Sequence, residues 1–333
     1  MFFPAAGPPV GLVSGGCLEG DLAERAQAVL ASGEPRTVVY DMRSPDDIVW
    51  GLGLGCNGEI RVLLERLDPA VDPPYLGFLR ECRRERRCGV VATLFEVEGE
   101  IDAARGERII LPQARADGGV ADARLREMIL ADSRTVLARR RSKVCSYSLE
   151  NGSVEALIEH VAPAARLLVF GAGQDAVPVV RLAAELGWEV EVLDNRPAYA
   201  SVEKFPGADA VRLVEFDKLN AAELVIDDDT AVVLMTHHFL HDVALLRLLL
   251  PSKAQYVGVL GPKKRTQNLL DELKHERDPV LLRRLHGPVG IDLGAEEPEE
   301  IALALLAEIQ AVRTGRSGGF LRDRSGPLHD WSQ

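Results

Sequence analysis

No apolar run in this chain approaches the roughly 20 residues needed to cross a bilayer. The opening MFFPAAGPPVGLV has neither the basic start nor the apolar core of a secretory signal. Cysteine is scarce: five in all, an odd number with no C-x-x-C pair, which speaks against a disulfide framework and for a reducing compartment. A cytoplasmic protein is therefore expected. Positive charge is also short. Lys and Arg number 39 against 51 Asp and Glu, and the net charge of −12 disfavours nucleic acid or an anionic membrane as the main partner. There is no Walker A sequence, no internal repeat and no low-complexity segment, and no Ser-His-Asp triad can be assembled. What remains is a chain of 333 residues, 47% hydrophobic and 27% charged, ordinary for a globular protein and long enough for two cores.

The second half is the more regular. RLLVF (166–170) is an apolar run ending in glycine, and PVVRLAAELG then carries apolar residues at helical spacing up to Gly187. EVEVLD (189–194), DAVRLV (209–214), TAVVLMT (230–236) and QYVGVLG (255–261) read as further strands, with helical patterns at 242–250 and 263–275 between them. Such alternation implies a parallel, doubly wound sheet. A last helix is expected from Pro298 to about Arg313, with Pro298 at its first position, Glu299 and Glu300 in its first turn, and Ile301, Leu305 and Ile309 on one stripe. In the first half, a helix at 18–31, strands at 36–41, 59–67 and 88–97, and an arginine-rich helix near 75–87 suggest a mixed α/β domain. The polar stretch SYSLENGSVEALIEHVAPAA reads as the divide between the halves, with the boundary at 155–165. The runs RRERR (83–87) and RRRSK (139–143) read as a solvated helix face or linker.

Within VFGAGQDA the spacing is G-x-G-x-x-A between a strand and a helix, and Asp194 closes the next strand about twenty residues on. Gly171 permits a tight turn, Gly173 a close approach of backbone to phosphate, and the helix start supplies free N–H groups. Asp194 is placed to accept from a ribose hydroxyl, while Arg196 two residues later is placed to reach a phosphate. The bland alternative is a mere strand-to-helix turn. After the fourth strand comes MTHHFLHD. His237 or His238 suits a hydrogen-bonding or proton-transferring role; His238, His241 and Asp242 as metal ligands, or Asp242 as a helix cap, are the other readings. In GPKKR, the cations Lys263, Lys264 and Arg265 fall in a helix's first turn, where the dipole does not favour them, which hints at an anion there.

Two cysteines stand among glycines: Cys17 in SGGCLEG, after Gly15 and Gly16, and Cys56 in GLGLGCNGEI. Flanking glycines leave a thiol open, and the helix start after Cys17 favours its thiolate, able to attack an electrophile, carry a persulfide or bind a soft metal. A small buried apolar residue is the competing reading for each. Glu19 is expected to cap that helix, and Cys82, Cys88 and Cys145 to be structural.

SGGCLEGDL, GLGLGCNGEI, FGAGQDAVPVVRLAAELGWEVEVLDNRPAYA, MTHHFLHDVALLRLLL, YVGVLGPKKR and GPVGIDLGAEEPEEIALALLAEI occur in an order that resembles the XdhC/CoxI family from about residue 12 to 315. The resemblance implies an N-terminal XdhC/CoxI-type domain at 1–155, a Rossmann-like domain at 163–316 and a tail at 317–333. Members of that family bind molybdenum cofactor, support its sulfuration by a cysteine desulfurase, and pass it to an apo molybdenum hydroxylase of the xanthine dehydrogenase type. The cofactor is molybdopterin or its dinucleotide form. On that footing Gly171, Gly173, Asp194, Arg196, His237, Asp242, Lys263 and Arg265 are expected on its phosphate side, with Gly15, Gly16, Cys17 and Cys56 near its metal. Cys17 would be the molybdenum contact. The resemblance also implies that the front of the first domain is absent, and Gln174 departs from the histidine that relatives often carry. The rival readings are an NAD(P)-dependent oxidoreductase, with His238 as proton donor and Cys17 near the substrate, and a nucleotide-sensing module that binds without chemistry. General grounds alone point to a homodimer.

Overall fold

The computed structural model describes residues 1–41, 58–112, 115–117, 120–273 and 278–325. The chain divides into two compact units, one formed mainly by Met1–Pro163 and one by Ala164–Gly326. Among the described residues no helix is long and apolar enough to cross a membrane.

The first unit begins with a helix, α1 (Glu19–Ser32), and two antiparallel strands, β1 (Arg36–Asp41) and β2 (Glu59–Leu64). Leu22 and Val29 lie a helical repeat apart and pack with Leu18 onto Val38 and Leu64 of that ribbon. There follow α2 (Pro74–Glu85), β3 (Gly89–Gly99), β4 (Arg108–Leu111), β5 (Arg115–Asp117), α3 (Ala123–Arg139), β6 (Lys143–Leu149) and β7 (Gly152–Val161). These strands form an antiparallel sheet in the order β5-β4-β3-β7-β6. Alternation in β3 sends Val90, Ala92 and Leu94 toward Leu125, Ile129 and Val136 of α3, and Val91 toward Phe78 and Cys82 of α2. A strand covered on both faces reads as one apolar run, which is why β3 was legible. Cys82 is fully buried there, and that burial pushes its thiol up.

The stretch around 146–161 forms the β6–β7 hairpin, and the two units part just after it, between Pro163 and Ala164. Val154, Ala156 and Ile158 are fully buried beneath α3, while Ser153, Glu155 and Glu159 alternate with them. Polar residues at every second position made a half-buried strand look like a linker. Asp132 of α3 ties the hairpin down by accepting from Lys143 Nζ at 2.7 Å and Tyr147 Oη at 2.8 Å. At the end of α2, Arg84 and Arg87 of the arginine run pair with Glu85 and Glu81.

The second unit holds β8 (Arg166–Phe170), α4 (Ala176–Glu185), β9 (Glu189–Asp194), β10 (Ala210–Leu213), β11 (Thr230–Leu234), α5 (Phe239–Leu249), β12 (Tyr256–Val259), α6 (Lys263–Glu272), α7 (Pro279–Leu282), β13 (Leu285–His286) and α8 (Pro298–Thr314). The sheet is wholly parallel, in the order β10-β9-β8-β11-β12-β13. That is the strand order of the dinucleotide-binding doubly wound fold, with its switch point between β8 and β11. Leu167, Val169, Val190, Val192, Ala231 and Val233 face α4 and α8, and the intervening Leu168, Phe170, Leu193, Val232 and Leu234 face α5 and α6. Glu191 accepts from Arg166 at 2.6 Å and Arg212 at 2.8 Å, so one buried carboxylate links three strands. α8 starts at Pro298 as expected, and the two-residue β13 was too short to read from pattern.

Glu308 of α8 binds the far edge of the sheet: it accepts from Tyr256 Oη at 2.6 Å and Gly290 N at 2.8 Å, and lies 3.1 Å from His286 Nδ1. Burial works to raise its carboxyl, but the bonds from His286, Tyr256 and Gly290 outweigh that and hold it below the ordinary range. A depressed carboxylate stabilises the fold above its unfolded pKa and loses that contribution as pH falls through its folded value. Urea unfolding at pH 7 should show Glu308→Gln less stable by about 1–3 kcal/mol, and the gap to the parent should narrow as the pH is lowered below 4. A gap independent of pH would show that the charge is not what Glu308 contributes.

Candidate functional site

At the end of β8 the chain turns where two backbones nearly touch. Gly171 has φ of +120°, donates to Leu193 O at 2.8 Å, and sits beside β11, whose next residue Met235 donates to Phe170 O at 2.7 Å. A Cβ at Gly171 would fall 2.5 Å from the Met235 carbonyl carbon and 2.9 Å from Thr236 N. Only glycine fits, by conformation and by space. α4 then begins with Ala176 N to Gly173 O at 3.3 Å and Val177 N to Gln174 O at 3.2 Å. The N–H groups of Gly173, Gln174 and Asp175 meet no acceptor among the described residues. They form the open positive end of the helix. Lys204 adds a cation, its Nζ donating to Ala172 O at 2.6 Å.

Asp194 ends β9 and is 1% exposed. Its carboxylate accepts from Ala172 N at 2.6 Å, Arg196 N at 2.8 Å, Arg196 Nε at 2.9 Å and Arg196 Nη2 at 2.8 Å. Burial would raise this carboxyl, yet the Arg196 and Ala172 bonds prevail and hold it below the usual value. Four donors use the acceptor sites a carboxylate offers, so Asp194 braces the turn. Arg196 in turn lies 3.9 Å from the Tyr199 ring centroid, and Lys204 Nζ 4.8 Å from it.

Across the switch point stands the end of β11. His237 has φ of +56°, a left-handed conformation that costs on the order of 1–3 kcal/mol in a residue of this kind, and its Nε2 lies 2.8 Å from Asp175 Oδ2. Asp242 as the cap of α5 was one reading of the sequence; the cap is His238, whose Nδ1 accepts from His241 N at 3.4 Å and whose ring lies tilted against that of His241, the centroids 4.0 Å apart. Asp242 faces inward, 1% exposed, accepting from Thr236 Oγ1 at 2.5 Å and Arg265 Nη2 at 2.6 Å. The cation that looked misplaced at the start of α6 is thus spent, in the case of Arg265, on a buried acid; Lys263 and Lys264 are exposed. Among the described residues no group of three or more His, Cys, Asp or Glu could hold a metal ion.

The first unit carries the open thiol. Nothing lies within 4 Å of where a Cβ would stand on Gly15 or Gly16, Gly16 has φ of +110°, and Cys17 is exposed, 3.5 Å from Ser14 Oγ. Glu19 holds this loop. It accepts from Val13 N at 3.1 Å, Ser14 N at 2.7 Å, Ser14 Oγ at 2.6 Å and Leu18 N at 3.2 Å. The hydrogen bond from the Ser14 hydroxyl, with those from backbone, lowers the Glu19 carboxyl to about 2. The role is wider than a helix cap: one carboxylate gathers the backbone on both sides of the cysteine. Cys56 lies outside the described residues.

The fold therefore brings Gly171, Gly173, Asp194, Arg196 and His237 around one turn, with Asp242 and Arg265 paired behind Thr236 and Lys263 apart on the surface of α6. Gly15, Gly16 and Cys17 form a separate feature of the first unit. Sequence reading missed Asp175 and Lys204. Asp175 had a signal, an acid just after the G-x-G, whereas nothing in the spacing marked Lys204.

A parallel sheet with this strand order and a glycine turn at its switch point defines a Rossmann-type domain, appended here to an antiparallel α/β unit. Residues 167–309 match the XdhC Rossmann domain and residues 1–41 match the XdhC and CoxI family. The chain belongs to the XdhC and CoxI family. It is 34% identical to a probable xanthine dehydrogenase subunit of Bacillus subtilis over 94% of its length and 87% of that protein. It is 27% identical to the molybdenum cofactor insertion chaperone PaoD of Escherichia coli over 91% of its length and 74% of PaoD. Among solved structures, a Bacillus halodurans protein described as a xanthine dehydrogenase superposes with a TM-score of 0.71 at 31% identity, over 95% of this chain and 86% of that one.

Two measurements check this geometry. Gly171→Ala should lower the stability of the second unit by about 3 kcal/mol in urea unfolding, through strain and overpacking against Met235; a change within the error of the assay would show that the backbone can yield. Glu19→Ala should speed amide hydrogen exchange at Val13, Ser14 and Leu18 by tenfold or more. In the parent those amides should stay protected at pH 4, because Glu19 remains ionised until the pH approaches 2. Protection lost in the parent already near pH 4.5 would mean that Glu19 does not hold the loop.

Proposed function

We propose that the protein is a molybdenum cofactor maturation factor that binds the cofactor in the cytoplasm, supports its sulfuration by a cysteine desulfurase, and passes it to an apo molybdenum hydroxylase of the xanthine dehydrogenase type. The observation that carries this reading is the similarity along nearly the whole chain to an insertion chaperone and to a xanthine dehydrogenase subunit, with both chemically distinct features in place. The residues suit the two ends of such a cofactor. A phosphate end calls for backbone donors and a cradle without side chains. The unpaired N–H groups at the start of α4 and the nearby Arg196 and Lys204 supply donors, and Gly171 leaves its corner of the turn to backbone alone. A soft end calls for an accessible sulfur, and Cys17 is exposed beside open glycines. Bound, the cofactor would supply a molybdenum centre with an exchangeable sulfur. For their part, the residues of the chain hold the anion, keep the thiol open, and fix the loop that carries it through Glu19.

Protein purified from cells making the cofactor should release a fluorescent oxidised pterin on denaturation. Cys17→Ser should retain less cofactor and activate apo-enzyme at least tenfold less well in reconstitution. If the serine variant matches the parent in both retention and activation, the thiol has no part in the function. Nicotinamide absorbance in place of pterin would sink the maturation reading altogether.

A further inference from the structure

The basic runs at 83–87 and 139–143 belong to neither feature described above, and the fold of the first unit brings them together. The first run closes α2; the second closes α3 and opens β6. The two helices cover opposite faces of the antiparallel sheet, α2 through Phe78 and Cys82, α3 through Leu125, Ile129 and Val136. Strand register nevertheless puts their C-terminal ends at the same end of it. The start of β3, just after the first run, lies beside the end of β7 through the pairs Gly89–Val161 and Val90–His160, and His160 N donates to Ser142 Oγ of the second run at 2.9 Å. Across this end Arg140 Nη2 donates to Cys88 Sγ at 3.6 Å, although the two residues stand 52 positions apart. Residues 83–87 and 139–141 together are seven arginines and Glu85.

The backbone shows that arginine is kept here against its own preference. Arg86 follows α2 with φ of +50° and Arg140 follows α3 with φ of +54°, the left-handed conformation in which helices commonly end on glycine. The chain does use glycine at the ends of α1 and α8, Gly33 and Gly315. Among the described residues His237 is the one other non-glycine with positive φ. Helix dipoles favour a cation in each last turn, and Glu85 and Glu81 pair with Arg84 and Arg87. Arg83 and Arg139 remain exposed, with no carboxylate partner among the described residues.

We propose that the joined ends of α2 and α3 form a docking surface for a carboxylate-rich segment of a partner protein. The proposal stands apart from the cofactor reading, since it concerns how a protein is held and not what is carried. Arginine presents a planar fork that meets a carboxylate with two parallel bonds. The one lysine of the runs, Lys143, is spent on Asp132. The runs hold no aromatic ring on which a base could stack, and the net charge of −12 repels a long polyanion beyond the patch. A short acidic segment meets only the local charge, because exposed charges more than about 8 Å away are screened at physiological salt.

Fluorescence anisotropy of a dye-labelled peptide of eight glutamates, titrated with the full chain, tests this. The parent should bind the peptide, and raising the salt tenfold should weaken binding about tenfold or more. Arg83→Gln in one run and Arg139→Gln in the other should each weaken it about fivefold, and the double variant about twentyfold. Arg124→Gln with Arg126→Gln removes the same charge at the other end of α3 and should change binding less than twofold. Arg86→Gly and Arg140→Gly relieve the backbone while removing a guanidinium, so the melting temperature should hold or rise as peptide binding falls. The proposal is overturned if the parent does not bind, if the loss is confined to one run, or if the Arg124 and Arg126 variant loses as much as the Arg83 and Arg139 variant. Glycine variants that bind as the parent does, or that melt several degrees lower, overturn it as well, because the arginines then serve the fold. Single-stranded DNA of the same charge, or vesicles containing phosphatidylserine, binding the parent more tightly than the peptide would assign the surface to another class of partner and overturn it too.

Discussion

The site of the second unit depends on one close approach: the backbone of Gly171 against the carbonyl of Met235 at the point where the strand order reverses. Parallel strands bury both faces and leave ligands only the edge formed by their carboxyl ends, and two neighbouring strands whose connections leave to opposite sides open a crevice there. Because β8 and β11 run so close, the end of β8 cannot carry a side chain at Gly171. The turn must therefore be made of backbone. Backbone supplies N–H groups, and N–H groups at a helix start attract anions.

Polar groups that a sequence reader assigns to ligands are, in the structure, largely spent on holding this backbone in place. Asp194 takes the Ala172 N–H and the guanidinium of Arg196, and Asp242 takes Thr236 and Arg265; Lys204, which the sequence did not mark, takes the Ala172 carbonyl. A buried carboxylate left unpaired would cost more than the fold can spare, so each is matched by a cation or an N–H within hydrogen-bond distance. The same economy governs the sheet, where Glu191 sits between two arginines and Glu308 among Tyr256, His286 and Gly290. Charge near the crevice is thus architectural first, and what is left over for a ligand is the short run of N–H groups and the exposed faces of Arg196 and Lys204.

How much of this was legible depended on whether the signal was periodic. Both-face burial made β8, β9, β11 and β12 readable as apolar runs, and Pro298 with Glu299 and Glu300 marked the start of α8. The β6–β7 hairpin was misread because alternating serine and glutamate on its open face diluted the apolar signal of Val154, Ala156 and Ile158. The glycine turn was legible because sterics admit no other residue at Gly171. Its occupant was not: that Asp175 fills the place beside Gly173 and that His237 turns left-handed to meet it are outcomes of packing between distant segments, which no local spacing encodes.

The two features that point to function obey opposite requirements, and the chain meets each with different means. An anion end must be rigid, because donors aimed in advance need not be ordered when the ligand arrives; the second unit accordingly locks its turn between strands. A thiol end must stay open, since burial closes a cysteine off and pushes its thiol up, as at Cys82. The first unit solves this by placing Cys17 after two glycines and anchoring the loop from a single point, the Glu19 carboxylate, whose depressed pKa keeps it charged and bonded far below neutrality. Rigidity is thereby confined to the flanks of the cysteine. Among the described residues the sulfur meets one weak partner, the Ser14 hydroxyl, so little holds it in place.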